Sequence, residues 1–195
     1  MSQGYQIRDQ SAAYYLTLQI VDWVDVFTRQ RYRDIVIDSM KFCQRNKNFE
    51  IFAYVLMSNH IHLIVRANNG NLSDVLRDMK GHTSKEIIAS ITNDDSYESR
   101  GEWMLNRFNH AASKHNRNES YQLWTHENHP VVLYSAEFIK EKLDYIHNNP
   151  VRAGIVEKPW DYLYSSARNY VDMKGLIDVT VLSRAKLGII DNQYR

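Results

Sequence analysis

Residues 54–65 read YVLMSNHIHLIV and set the architecture that we expect for this chain. Apolar and β-branched residues on both sides of a two-residue polar break indicate two strands, which pair in antiparallel fashion because the break is short. Successive side chains of a strand point to opposite faces, so His60 and His62 share one face and Ile61 takes the other. Two adjacent imidazoles suit a metal ion, although histidines at this spacing also occur simply as polar positions on a solvated face.

Hydrophobic periodicity on either side of this hairpin predicts the remaining elements. In chain order these are a strand at 14–21, a helix at 28–47, a strand at 49–57, the histidine strand, a helix at 71–91, a polar insertion at 92–120 containing a short amphipathic helix, a strand near 130–134 and a helix from 136. Ser135 is placed to cap the last helix. We expect that helix to end at Asn149, because a residue that precedes a proline disfavours the helical conformation.

This order of elements is that of a ferredoxin-like split βαβ sandwich, an α+β fold. It predicts an antiparallel sheet with helices on one face and an added C-terminal helix. Ile61 would face the helices, whereas His60 and His62 would lie on the accessible face. We expect a single domain, 1–195, with a core at about 12–170 and a polar tail at about 171–195.

Composition narrows the class of protein. A chain of 195 residues with 44% hydrophobic residues can bury a substantial core. The single cysteine, Cys43, excludes an internal disulfide and favours a reducing, cytoplasmic setting. No apolar run approaches the ~20 residues of a membrane span, so no membrane partner is expected. A net charge of +1 neither requires nor excludes nucleic acid.

A second informative stretch is LDYIHNNP at residues 143–150. Tyr145 and Asn149 are four residues apart, so on a helix they project from the same flank. An amide oxygen together with two histidines suits Mg²⁺ or Mn²⁺, whereas catalytic zinc would recruit a third histidine, a cysteine or a carboxylate. Each residue alone also has a plain structural role, as a packed helix tyrosine or as a helix-ending asparagine.

Together, residues 54–65 and the stretch DYIHNNPVRAG at 144–154 resemble the HUH single-tyrosine transposases, and within them the REP-associated tyrosine transposase branch. The resemblance extends from about residue 14 to about residue 170. It implies that His60 and His62 bind the metal, that Tyr145 is the nucleophile and that Asn149 is the third metal ligand. The 92–120 insertion and the C-terminal tail lie outside what the resemblance explains.

The resemblance also implies a function. The chain would be a metal-dependent transposase that cleaves and rejoins single-stranded DNA beside a hairpin or palindromic repeat, through a 5′-phosphotyrosine intermediate. A phenol has a reference pKa of about 10, so reaching the phenolate at pH 7 costs about 4 kcal/mol, which Mg²⁺ or Mn²⁺ at the phosphate would offset. Such proteins act on nucleoid DNA in the cytoplasm, as monomers or as homodimers.

Basic residues supply candidate phosphate contacts. These are Arg29, Arg31, Arg33, Arg66 and Arg152. Two other functions stay open from sequence. One is a catalytically silent hairpin-DNA-binding regulatory protein. The other is a hydrolase whose histidines activate water, although it leaves Tyr145 unexplained and lacks an obvious carboxylate base.

Overall fold

The computed structural model describes residues 6–93, 97–114 and 120–182. The elements are β1 (Tyr14–Gln19), α1 (Gln30–Asn46), β2 (Phe49–Leu56), β3 (His60–Ala67), α2 (Leu72–Thr92), α3 (Gly101–Ser113), β4 (Val131–Val132) and α4 (Ala136–Arg152). The strands form one antiparallel sheet in the order β2-β3-β1-β4. The predicted ferredoxin-like α+β fold is therefore confirmed. Within the described ranges, no helix combines the length and the apolar character that a membrane span requires.

Alternation along the central strands separates two faces of the sheet. Leu16 and Leu18 of β1 are buried in the main core with Ile61 and Leu63 of β3, and α1 and α2 cover this face. Because the side-chain period of a strand is two, Thr17 and the two histidines project from the opposite face. The predicted assignment of the two faces thus agrees with the structure.

α4 packs on the histidine face, which is consequently less accessible than the sequence led us to expect. Leu143 and Ile146 of α4 are buried in a second cluster with Ala53, Val55 and Ile64 of the sheet. Removing these apolar side chains from water favours this position of the helix. Ser135 caps α4 as predicted, since its side chain accepts a hydrogen bond from the backbone N–H of Phe138.

His147 ties α4 to the segment that follows it. Its Nε2 lies 2.9 Å from Oγ of Ser166, which also bonds both backbone groups of Tyr54 on β2. The ring of Tyr170 contacts the imidazole edge-on at 4.8 Å. Burial lowers the pKa of His147 to about 4, so at neutral pH it acts as an uncharged hydrogen-bonding group.

The structure differs from the prediction at the start of α1 and at the end of α4. α1 begins at Gln30, because the hydroxyl of Thr28 bonds the carbonyl of Asp25 rather than capping the helix. α4 does not stop at Asn149 but continues through Pro150 to Arg152.

A C-terminal motif explains how α4 accommodates its proline. The N–H of Gly154 bonds the carbonyl of Val151, and the N–H of Ile155 bonds the carbonyl of Pro150, both at 2.9 Å. These two bonds form a Schellman motif, with Gly154 in the left-handed conformation at φ 70°. Pro150 removes only one donor near the end of the helix and is itself buried.

Two glycine substitutions should change stability in opposite directions. A Cβ at Gly154 would meet no neighbouring atom, but the left-handed backbone there makes Gly154→Ala destabilising by about 1 kcal/mol. A Cβ at Gly81, inside α2, is equally unobstructed, so Gly81→Ala should stabilise by about 0.5–1 kcal/mol through helix propensity. Urea unfolding of the two variants measures both shifts. Stabilisation by Gly154→Ala would contradict this description of the α4 terminus, and destabilisation by Gly81→Ala would contradict the helix-propensity argument for α2.

Neighbouring segments cover both edges of the sheet. Along β1, the 121–128 segment continues the pairing of β4, with the Thr17 N–H bonded to the carbonyl of Asn128 at 2.9 Å. Along β2, the N–H of Leu56 bonds the carbonyl of Tyr164 at 2.9 Å. Part of the segment that was predicted to be a polar C-terminal tail also packs against the rest of the domain, because Ile177 is buried in the main core. Covered edges remove the unpaired backbone groups that favour aggregation.

α3 lies in the polar insertion, where a short amphipathic helix is predicted. Met104 and Phe108 are buried, so the helix packs its apolar side on the core. Trp103 is exposed, with the guanidinium of Arg107 5.8 Å from its ring.

Candidate active site

His60 and His62 lie side by side on β3. Their ring centroids are 4.6 Å apart. β1 runs beside them, with Gln19 opposite His60 and Thr17 opposite His62. His62 is 5% exposed, whereas His60 is half-buried. The sheet therefore holds two adjacent imidazoles beneath α4.

The polar break before β3 orients His60. Nδ1 of His60 lies 2.7 Å from Oδ1 of Asn59. The amide Nδ2 of Asn59 donates to the Asp25 carboxylate at 2.9 Å and to the Trp23 carbonyl at 3.3 Å. The two acceptors show which end of the Asn59 amide is the nitrogen. The amide oxygen therefore faces His60 and must accept the hydrogen on Nδ1 of His60. The lone pair of neutral His60 is then on Nε2, the atom left for a metal.

His62 is held at the same ring atom by two hydroxyl groups. Tyr15 Oη and Thr17 Oγ1 each lie 2.9 Å from its Nδ1. The Tyr15 ring also stacks beside the imidazole, with centroids 5.6 Å apart and an interplanar angle of 22°. With Nδ1 engaged in this way, Nε2 is the ring nitrogen of His62 that can face a ligand.

Burial keeps both histidines uncharged at neutral pH. It lowers the pKa of His60, and together with the neighbouring charge of His60 it lowers the pKa of His62 to about 3. Metal coordination requires neutral imidazole, so no proton would have to be displaced from either ring near pH 7.

Tyr145 of α4 lies against this pair. Its ring centroid is 5.1 Å from that of His62, with the planes at 70°, and it is 37% exposed. The guanidinium carbon of Arg152 lies 5.3 Å from the Tyr145 ring centroid. α4 therefore brings a partly exposed phenol and a cation to the histidine pair.

Asn149 follows Tyr145 by one turn of α4 and is half-buried. Within the described ranges, no group of three or more histidine, cysteine, aspartate or glutamate side chains is placed to hold a metal ion. An amide oxygen such as that of Asn149 is a kind of ligand that Mg²⁺ and Mn²⁺ accept.

The five candidate DNA-binding arginines contact partners in several different segments of the chain. Arg29 and Arg31 form ion pairs with Glu98 at 3.4 and 3.7 Å. Arg66 pairs with Glu50 at 2.6 Å. The guanidinium of Arg33 lies 4.2 Å from the Tyr164 ring. Of the five, Arg152 is the one that contacts a candidate active-site residue.

Several neighbours of the site were not singled out from the sequence. Tyr15 and Thr17 alternate on β1 and could have been assigned to the histidine face from strand periodicity once antiparallel pairing with β3 was assumed. Asn59 adjoins His60 directly, but its contact with Asp25 depends on a turn that periodicity does not describe. Trp23, whose ring meets that of His60 edge-on at 6.0 Å, belongs to the same turn.

Comparisons with known proteins identify the family of this chain and proteins of similar structure. The family described as Transposase IS200 like matches residues 12–148, a range that includes His60, His62 and Tyr145. The structure of a REP-associated tyrosine transposase bound to a REP hairpin is similar with a TM-score of 0.57 and 19% identity, over 94% of this chain and 96% of the other. A putative transposase from Deinococcus radiodurans R1 gives a TM-score of 0.41 and 15% identity, over 76% of this chain and 95% of the other. No curated protein has a significantly similar sequence.

Proposed function

Because this chain belongs to the IS200-like transposase family, we propose that it cleaves and rejoins single-stranded DNA near hairpins through a 5′-phosphotyrosine intermediate, in a metal-dependent reaction. One observation carries the proposal. The Tyr145 ring lies 5.1 Å from the ring of His62, which adjoins His60. A nucleophile beside a pair of neutral imidazoles is the arrangement that metal-assisted transesterification requires.

His60, His62 and Asn149 are the residues that we propose as metal ligands. Two observations support the fit. Both histidines are uncharged at neutral pH, and both have Nδ1 engaged so that Nε2 remains for coordination. Two imidazoles and an amide oxygen suit Mg²⁺ or Mn²⁺, which when bound would polarise the scissile phosphate and stabilise charge on its oxygens.

The reaction assigned to Tyr145 is an in-line exchange at phosphorus. Its phenolic oxygen gives up its proton and forms the new bond to phosphorus, the bond to the DNA 3′-oxygen breaks, and that oxygen takes up a proton and leaves as a hydroxyl. Arg152 places a positive charge beside Tyr145, where a phosphate would bring negative charge. Since the product keeps a phosphodiester, a second 3′-hydroxyl can attack it and rejoin strands without ATP.

Hairpin DNA is the substrate that we propose. The structurally similar REP-associated transposase is bound to a REP hairpin, and the two chains are covered almost completely by the match. A hairpin with single-stranded flanks presents both a duplex and exposed bases, so it is the appropriate probe.

The proposed function is tested by incubating the protein with labelled DNA hairpins carrying single-stranded flanks, with and without Mn²⁺. A covalent protein–DNA adduct should appear on a denaturing gel only with metal. Binding without an adduct would instead indicate a silent hairpin-binding regulator. Metal-dependent release of a free 5′-phosphate without an adduct would indicate a hydrolase. Either result would reject the transesterase.

Asn59 should contribute to metal affinity without touching the metal. Asn59→Ala removes the acceptor that keeps hydrogen on Nδ1 of His60, and loss of such a support weakens metal binding by about 10- to 100-fold. Calorimetric titration with Mn²⁺ measures the affinity, and ¹⁵N chemical shifts of the imidazole report the tautomer. Asn46→Ala, on the exposed surface of α1, is the matched control. Equal Mn²⁺ affinity in the two variants would exclude this role of Asn59.

A further inference from the structure

Tyr145 is the middle member of a row of side chains along α4. Phe138, Lys142, Asn149 and Arg152 follow the same flank of the helix, at spacings of four, three, four and three residues. At about 100° per residue, all five fall within a band of roughly 80°. This flank is distinct from the buried side formed by Leu143 and Ile146, so the row is a surface beside the candidate active site. We call these five residues the α4 row.

Aromatic rings and a cation alternate along the first part of this row, from Phe138 through Lys142 to Tyr145. The Tyr134 ring, just before α4, stacks on Phe138 with centroids 5.0 Å apart and planes at 14°. Nζ of Lys142 lies 4.8 Å from the Phe138 ring and 5.5 Å from the Tyr15 ring. Tyr15 in turn meets the Tyr145 ring edge-on at 6.3 Å. A continuous series of contacts therefore runs from Tyr134 to the proposed nucleophile.

The outer end of the series is open to a ligand. Tyr134 is 76% exposed, so a face of the stacked pair is available to another planar group. Lys142 also forms an ion pair with Glu141 at 2.9 Å on the helix surface. The Glu141 side chain is 65% exposed, and an ion pair with an exposed carboxylate contributes little, so Lys142 can exchange Glu141 for a phosphate at small cost.

The geometry points to a binding site for the single-stranded flank of the DNA, in which a base stacks on Tyr134 and a backbone phosphate contacts Lys142. This inference rests on the proposed function. Base stacking on aromatic side chains combined with basic residues is how proteins hold single strands, and a duplex hides the base faces that Tyr134 would need. From Phe138 to Tyr145 the helix rises about 10 Å, so the stacked base belongs to a nucleotide within a few positions of the cleaved phosphate.

The test distinguishes the contribution of the bases to binding from that of the phosphates. Equilibrium binding is measured by fluorescence anisotropy in the Tyr145→Phe background, which prevents cleavage, with a hairpin that carries either an oligothymidylate flank or an abasic flank of equal length. Both 5′ and 3′ flanks are compared. On one side of the hairpin, 5′ or 3′, Tyr134→Ala should weaken binding to the thymidylate flank by about 5- to 100-fold. Binding to the abasic flank should stay within about twofold.

Two further variants make the result specific. Lys142→Met should weaken binding to both kinds of flank and reduce the salt dependence by about 0.7 of a logarithmic slope, the contribution of one phosphate contact in a single strand. Tyr97→Ala removes a tyrosine that is 88% exposed and lies outside the α4 row, and it should leave both affinities unchanged.

An equal loss on thymidylate and abasic flanks, or no loss on either, would overturn the stacking site. The adduct assay with the unaltered protein decides the proposed function separately. If adducts form but Tyr134→Ala binds thymidylate flanks normally, this inference alone fails. If the base-dependent loss is seen but no adduct forms, the strand-binding site stands and the transesterase fails.

Discussion

Replacing Tyr145 with phenylalanine is expected to reduce strand cleavage by about three orders of magnitude or more, because the variant has no oxygen to attack the phosphate. DNA affinity should change by less than about twofold, since one hydroxyl among many strand contacts is removed. The benzene ring retains the edge contact with His62 and the position beneath Arg152. Single-turnover cleavage and equilibrium binding of the same hairpin measure the two quantities.

Tyr15 is the informative comparison, because it is the other phenol in the site. Its hydroxyl is bonded to Nδ1 of His62, and burial raises its pKa to about 12, which makes it the poorer nucleophile. Tyr15→Phe should therefore still form a covalent adduct, although it loses a partner of His62. Adduct formation by Tyr145→Phe but not by Tyr15→Phe would identify Tyr15 as the nucleophile instead.

The second large effect is expected from the histidines. His60→Ala and His62→Gln should each lower Mn²⁺ affinity by more than about 100-fold and reduce cleavage correspondingly, because each removes a proposed ligand. Glutamine at position 62 keeps a side chain of comparable length in a buried site, which limits the cavity that alanine would leave. Calorimetry with Mn²⁺ provides a measurement that is independent of cleavage.

His82→Ala is the matched control for these variants. His82 is exposed on α2, a helix that covers the opposite face of the sheet. Its replacement should leave Mn²⁺ affinity and cleavage as in the unaltered protein. If His60→Ala and His62→Gln fold normally and behave like this control, the proposed metal site is wrong.

Periodicity in the sequence was sufficient for the fold and for one side of the site. The two-residue period of β3 places His60 and His62 together, and the helical period of α4 places Tyr145 and Asn149 together. These are local relations, set by backbone geometry alone. The proximity of Tyr145 to His62 is not local, because it depends on Leu143 and Ile146 packing against β2 and β3.

Local rules failed where tertiary contacts or neighbouring bonds outweighed them. Asn149 was expected to end α4, but the Schellman bonds around Gly154 and the burial of Pro150 allow the helix to continue. Periodicity also could not identify Glu98 as the ion-pair partner of Arg29 and Arg31, two of the candidate DNA contacts. Their contact with DNA stays a prediction.

The central claim is that Tyr145 becomes covalently joined to a DNA 5′-phosphate. The most direct test is to trap the adduct with hairpin DNA and Mn²⁺, digest the DNA and the protein, and locate the modified peptide by mass spectrometry. We predict a nucleotide joined through its 5′-phosphate to Tyr145. A nucleotide on any other residue, a 3′-phosphate linkage, or cleavage with no modified peptide would contradict the claim.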